Sequence, residues 1–314
     1  MKPYPLKLKP IFKERIWGGQ RLRELFGKEL PPGRPIGESW ELADLPEDQS
    51  VILNGPLVGC SIRKAVERFG PALQTGHPGP FPLLIKLLDA REVLSVQVHP
   101  DEAACRRMGT GQPKTECWYI LDAPPNGMIY KGLKPGTTRR QFAQAIAEGT
   151  CADYLVAVPV RPGECHFLPS GTPHAIGAGL VIAEIQQPSD TTYRVFDWNR
   201  VDPATGKPRA LHIEQALESI HFGVSPDAFA VTTVGRLVDA PEFKLDKGHQ
   251  MPKGELLLES PIPKAILFLT GSGLIQGPHF EPILFQKGDT VLIPADVEGF
   301  IQFQEETEYL TASV

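Results

Sequence analysis

The sequence predicts a mainly β protein, a sandwich or jelly roll decorated by short helices. Three observations carry that expectation. Proline (32) and glycine (30) together supply about one residue in five of the 314, with no repeat period, and such frequent turns favour short strands. The apolar segments are brief, rich in Val, Ile, Leu, Phe and Tyr, and bounded by Gly, Pro, Asp or Asn. A glycine, an acid, four residues and a proline recur at Gly163-Glu164 to Pro169 and at Gly288-Asp289 to Pro294, each reading as a strand launched from a tight turn and stopped by proline.

In chain order, residues 20–26 place Leu22, Leu25 and Phe26 on one helical face. Residues 61–69 do the same with Ile62, Ala65, Val66 and Phe69, with Ser61 as N-cap and Gly70 past the end. Strands are expected at 82–88, 94–99 and 116–121. A third helix covers Arg139–Glu148, with Phe142, Ala145 and Ile146 in register and Gly149 as its stop. Strands follow at 153–158, 164–168, 180–185 and 192–198. A last helix, 212–222, carries Ile213, Ala216, Leu217 and Ile220 and stops at Gly223, and a further set of strands runs from 265 to 303. Trp17-Gly18-Gly19 reads either as a ligand-facing turn or as a packed tryptophan before a glycine turn. Glu38 and Glu41 flank Trp40 at an odd spacing that sends them to opposite faces of a strand, where they are expected to maintain the fold. Beyond residue 223 only His249 and His279 remain of the histidines. The expected division is a first domain, 1–223, holding the polar motifs and the helical insertions, and a plainer β domain, 224–314.

The charge is −5, with both signs interspersed, so no basic stripe suits nucleic acid. The N-terminus has no apolar core of a leader, and the longest apolar runs fall far short of the roughly 20 residues that span a bilayer. Five cysteines (Cys60, Cys105, Cys117, Cys151, Cys165) form no C-x-x-C pair; this suits a reducing, cytoplasmic setting and argues against a thiolate zinc site.

The chemistry concentrates in three places. Gln97 and His99 stand two apart in an apolar strand, so their side chains leave one face; Lys114 and Glu116 repeat the spacing, with Cys117 turned away. The stretch from Gly163-Glu164 through Pro169 and Gly171 ends at His174; in the second copy of the repeat, Gly299 takes the histidine's position. Two imidazoles, a carboxylate and a glutamine oxygen suit a borderline-soft divalent ion in a protein that offers no thiolate. His77, His166, His212, His221, His249 and His279 are expected to be structural.

The segment 163–174 resembles the second motif of the cupin superfamily, which implies two cupin-like jelly-roll barrels, of which only the first holds a metal. The chain further resembles the type I mannose-6-phosphate isomerases, in particular their short bacterial form. The resemblance rests on Arg15-Ile16-Trp17-Gly18-Gly19, Gly37-Glu38-Ser39-Trp40-Glu41, residues 82–90, 94–100, 114–119 and 169–175, and Glu184-Ile185-Gln186-Gln187-Pro188-Ser189-Asp190-Thr191-Thr192-Tyr193-Arg194 with the four residues after it. It implies one zinc ion per chain on His99, Glu116 and His174, with Gln97 at a position that ligates in some members. It places Arg194 on the family's catalytic arginine, and implies that the large helical domain of longer members is absent. The generic cupin His-x-His is here Gln97-x-His99, and the carboxylate lies far downstream; both departures agree with the isomerase family.

The implied reaction interconverts D-mannose 6-phosphate and D-fructose 6-phosphate through an enediol. Lys114 is expected to point into the same cavity as Glu116. Glu184, in an apolar strand, is the preferred general base, with a structural ion pair to Arg194 as the competing reading. Arg194 would meet the developing oxyanion or the phosphate, and Arg200 is a further candidate for the phosphate. Two other functions stay open on the sequence: a non-haem iron cupin oxygenase and a non-catalytic sugar-phosphate-binding cupin. The expected partner is a small sugar phosphate, with neither nucleic acid nor membrane, for a monomer or a homodimer.

Overall fold

The computed structural model describes residues 1–74, 79–202, 205–224 and 230–314. Among the described residues, period-two patterning builds four large antiparallel sheets, and Val201–Asp202 pairs with Lys207–Pro208 in a small fifth one. The five-stranded sheet runs Tyr193–Phe196, Val96–Val98, His174–Ile176, Met128–Leu133, Leu155–Pro159 in spatial order, and the six-stranded sheet Cys165–Leu168, Glu116–Asp122, Leu180–Gln186, Leu84–Ala90, Ile36–Leu42, Ile11–Gly19. Between them lies a core in which Leu88, Trp118, Ile120 and Ile182 meet Ile129, Val158 and Ile176. The alternate residues of the same strands, Leu87, Cys117, Tyr119 and Ile185, face the other way and pack with Leu245, Leu267 and Leu292 of a seven-stranded sheet. The central strands of the six-stranded sheet, Glu116–Asp122, Leu180–Gln186 and Leu84–Ala90, are therefore buried on both faces, which is why they read as mainly apolar runs.

The seven-stranded sheet runs Gly235–Asp239, Lys244–Gln250, Thr307–Ser313, Lys264–Phe268, Thr290–Ile293, Leu6–Lys9, Val51–Ile52, so it draws two strands from the start of the chain. A four-stranded sheet (Glu255–Leu257, Phe300–Phe303, Ser272–Gly277, Phe280–Gln286) closes a second sandwich around Phe268, Phe285 and Phe303. Helices Arg139–Glu148 and Ile213–Ser219 cover the outer face of the five-stranded sheet. The mainly β, cupin-like architecture with helical insertions is as expected.

Both copies of the repeat keep their frame. Gly163 (φ 91°) and Gly288 (φ 87°) each turn the chain into a strand that ends at the residue before its proline. Several elements depart from expectation. Trp17-Gly18-Gly19 is no turn but the end of strand Ile11–Gly19, and a Cβ on Gly18 would lie 2.3 Å from the Gly37 nitrogen, so close strand approach explains the glycine. Helix Glu102–Met108 buries only Ala104 and shows no apolar period; it is set by Asp101, whose side chain accepts the Ala104 N–H, and by Gly109 in the left-handed region.

Candidate metal centre

Alternation aims the polar residues into the gap between the five- and six-stranded sheets. Val96, Val98 and Ala175 face the helices, so Gln97, His99 and His174 face inward; Trp118 and Ile182 set Glu116 and Glu184 inward from the opposite sheet. His99, Glu116 and His174 come together with one ligand atom each inside 4.8 Å, all three buried. His99 Nε2 lies 3.3 Å from one Glu116 oxygen and His174 Nε2 3.4 Å from the other. Each ring donates from Nδ1 to a backbone carbonyl, His99 to Thr191 and His174 to Thr172, both at 2.8 Å, which leaves Nε2 as the lone-pair nitrogen.

The donor set fits a divalent cation. His99 Nε2 and Glu116 Oε1 are buried without a hydrogen-bond partner, a costly state that a metal ion relieves, while Glu116 Oε2 faces Lys114 Nζ at 2.9 Å. Burial and nearby Lys114 push His99 down to about 3, and burial lowers His174, so both imidazoles are in the neutral form that ligates. Burial alone would raise Glu116, but Lys114 and His99 outweigh it and hold the carboxyl well below its usual range. Gln97 pairs with His174 across the sheet, its amide 3.4 Å from His174 Nε2. A turn of that amide would present its oxygen beside the trio.

From Glu116 a chain of alternating charges runs outward along the six-stranded sheet. Lys114 Nζ lies 2.9 Å from Glu116 and 3.8 Å from Glu184; Lys86 Nζ lies 3.0 Å from Glu184 and 5.3 Å from the centroid of the Trp40 ring. The second Glu184 oxygen accepts from Trp118 Nε1 at 3.1 Å. Glu38 accepts from Arg15 and from Trp40 Nε1; burial opposes its charge, yet Lys86 and Arg15 outweigh that and hold it near pH 2 (a pKa of about 2).

A cavity of about 470 Å³ lies over this chain and is lined by Gln97, Lys114, Glu184 and Arg194 among others. The structure thus brings the expected site residues to one place. It gives Glu184 the partner Lys86 instead of Arg194, whose Nε donates to Ser95 Oγ at 3.2 Å and whose Nη1 donates to the Ala210 carbonyl at 2.8 Å. Arg200 holds Asp197 and the Val93 carbonyl and does not line the cavity; Arg209 does. Sequence reading also missed Lys86 and Arg15 as wall residues. A lone lysine in the apolar strand Leu84–Ala90 was the available signal. Glu41, expected to maintain the fold, binds Lys28 at 2.7 Å on the opposite side from the cavity, while Glu38 lines the cavity.

The remaining histidines make other contacts: His221 with Asp101, His249 with Glu306, His279 with Lys2, His166 with Glu164, and His212 accepting the Arg194 N–H. His77 lies outside the described residues. Among the described residues no second group of metal-binding side chains occurs.

The fold is that of a cupin, and its buried group of two histidines and one carboxylate is able to hold a metal ion. The family model described as phosphomannose isomerase type I, catalytic domain, matches residues 6–125. The mannose-6-phosphate isomerase of Streptococcus mutans is 35% identical over 98% of both chains. The crystal structure of the mannose 6-phosphate isomerase from Bacillus subtilis superimposes at a TM-score of 0.87 with 29% identity, covering 99% of each chain. A zinc-bound mannose 6-phosphate isomerase shares the fold at a TM-score of 0.76 and 17% identity, over 98% of this chain and 99% of that one. The chain belongs to the type I mannose-6-phosphate isomerases.

Proposed function

We propose that this enzyme interconverts D-mannose 6-phosphate and D-fructose 6-phosphate with one zinc ion held by His99, Glu116, His174 and the Gln97 side-chain oxygen. The carrying observation is the buried trio with unbonded ligand atoms, touched by Gln97 and Lys114, which in turn line the cavity. Zinc bound there supplies Lewis-acid polarisation of the sugar oxygens. Lys114 sets a positive charge beside the oxygens on which negative charge develops. Glu184 carries the proton between C2 and C1: it lines the cavity, and each of its oxygens has one donor, Lys86 or Trp118, and keeps a lone pair. Arg194, charged at every working pH, takes an anionic oxygen of the substrate.

In this reading the chemistry belongs to residues 1–223 and residues 224–314 contribute packing but no ligand. Free thiols at all five cysteines suit a cytoplasmic enzyme. Among the described residues no helix is long and apolar enough to cross a membrane.

The test is incubation with mannose 6-phosphate in deuterated water, with zinc or with chelator. Fructose 6-phosphate carrying deuterium, formed with zinc and suppressed by chelator, is the expected result. Zinc-loaded protein that binds the sugar phosphate without turnover would instead indicate a sensor, and bound iron with oxygen uptake an oxygenase.

A further inference from the structure

The segment after strand Tyr193–Phe196 carries more positive charge to the cavity than the reaction scheme above uses. Asp197 is nearly buried and accepts from two guanidinium groups: Arg209 through Nε at 2.7 Å and Nη2 at 2.5 Å, and Arg200 through Nη2 at 2.5 Å. One carboxylate thus serves two cations. Arg194, beside them, has no carboxylate within ion-pair distance among the described residues; its Nη1 rests on the carbonyl of Ala210, the residue that follows Arg209. Arg194 Nη2 and Arg209 Nη1 have no hydrogen-bond partner among the described residues, and both side chains line the cavity.

Glu14 is held by Arg34, and Asp190 acts on Arg15 and Lys86; Asp202 also lines the cavity. Two neighbouring guanidinium groups lining one cavity, Arg209 forked onto the Asp197 that it shares with Arg200 and Arg194 with no carboxylate in ion-pair reach among the described residues, suit a tetrahedral dianion, which accepts several charge-assisted hydrogen bonds at once.

The sheet register fixes how far this pair stands from the metal ligands. His174 pairs with Gln97, and Gln97 pairs with Arg194 on the next strand. Two strand spacings separate the backbones of His174 and Arg194 by about 10 Å. That span suits an opened six-carbon sugar phosphate with its reacting carbons at the trio and its phosphoryl group at the arginines.

We infer that Arg209 is a second substrate-binding guanidinium, which holds the phosphoryl group together with Arg194 while Asp197 orients it. The assignment rests on the isomerase reading. Arg200, tied to Asp197 and to the Val93 carbonyl, is a supporting strut.

The experiment compares the parent enzyme with Arg209→Ala and Arg209→Lys, all zinc-loaded and checked for metal content and melting temperature. Two quantities are read: kcat and KM for mannose 6-phosphate, and the affinity of inorganic phosphate by calorimetry. Loss of a charge-assisted fork predicts a KM for Arg209→Ala raised about 10-fold or more, kcat within about 3-fold, and phosphate affinity reduced to the same degree. Arg209→Lys, which retains the charge but loses the fork, is expected between the two. If Arg209→Ala does not fold, Arg209→Lys reads the same quantities. A folded variant whose KM and phosphate affinity both match the parent overturns the inference. Should the parent itself fail to isomerise the sugar phosphate, the isomerase reading falls, and phosphate affinity alone still decides whether Arg209 binds the anion.

Discussion

Glu184 shows how burial and pairing set what a single residue can do. Its carboxylate sits 3.0 Å from Lys86 and accepts from Trp118, with Lys114 at 3.8 Å, so the proposed proton carrier is also a structural ion-pair partner. Replacing it with glutamine keeps the shape and the Trp118 contact but removes the charge opposite Lys86, which is only 4% exposed. Leaving one partner of a buried pair uncompensated destabilises a protein by about 3–5 kcal/mol, and Glu38 on the other side of Lys86 offsets part of that. Glu184→Gln is therefore expected to melt at a lower temperature, to keep zinc because no ligand atom is touched, and to lose about 10²-fold or more in kcat. Steady-state kinetics beside metal analysis checks this; near-normal turnover would remove Glu184 from proton transfer.

Among the elements, the strands that carry Gln97, His99 and Glu116 were legible because polar residues interrupt apolar segments, Gln97 and His99 on either side of Val98 and Glu116 before Cys117-Trp118, whereas the short strand His174–Ile176 was not legible behind its turn-rich approach. Helix Glu102–Met108 was not legible, since capping by Asp101 and Gly109 defines it while its apolar residues are small or only half-buried and carry no clear helical stripe. Strand Ile11–Gly19 was hidden by its charges, Lys13, Glu14 and Arg15, which serve the surface and the cavity rim. Which guanidinium reaches the cavity was equally out of reach. Arg200 and Arg209 differ only in how the chain between them folds back, a tertiary fact with no local pattern. The glycine of that strand gives an element-scale prediction. A methyl group on Gly18 would meet backbone at 2.3 Å from Gly37 and 2.5 Å from Ile36, so strands Ile11–Gly19 and Ile36–Leu42 must separate. Gly18→Ala is expected to cost about 1–3 kcal/mol. Because Trp17 and Arg15 on the displaced strand line the cavity, KM should rise as well. A thermal melt and a kinetic series on the variant decide it, and parent-like values in both would refute the close-approach account.

At the scale of the whole molecule, the order of the layers matters more than the order of the chain. The six-stranded sheet that carries Glu116 and Glu184 has its second face pressed on the seven-stranded sheet, through a core that joins Leu87, Tyr119 and Ile185 to Leu245, Leu267 and Leu292. Leu6–Lys9 pairs with Thr290–Ile293, so the start of the chain is held by its last hundred residues, and Lys28 spans from Glu41 to the Gly288 carbonyl. The candidate metal ligands all lie before residue 223, yet the sheet that presents Glu116 has its second face covered largely by strands after it. A fragment ending at 223 would expose that apolar face to water and leave the buried Lys28–Glu41 pair without its carbonyl partner. It is therefore expected to lack cooperative unfolding and to take up no stoichiometric zinc, although every candidate ligand is present, whereas the full chain is expected to unfold cooperatively and to bind one zinc. Near-UV circular dichroism with zinc titration tests this, and a fragment that melts cooperatively and binds one zinc would show that the second sandwich is dispensable to the site.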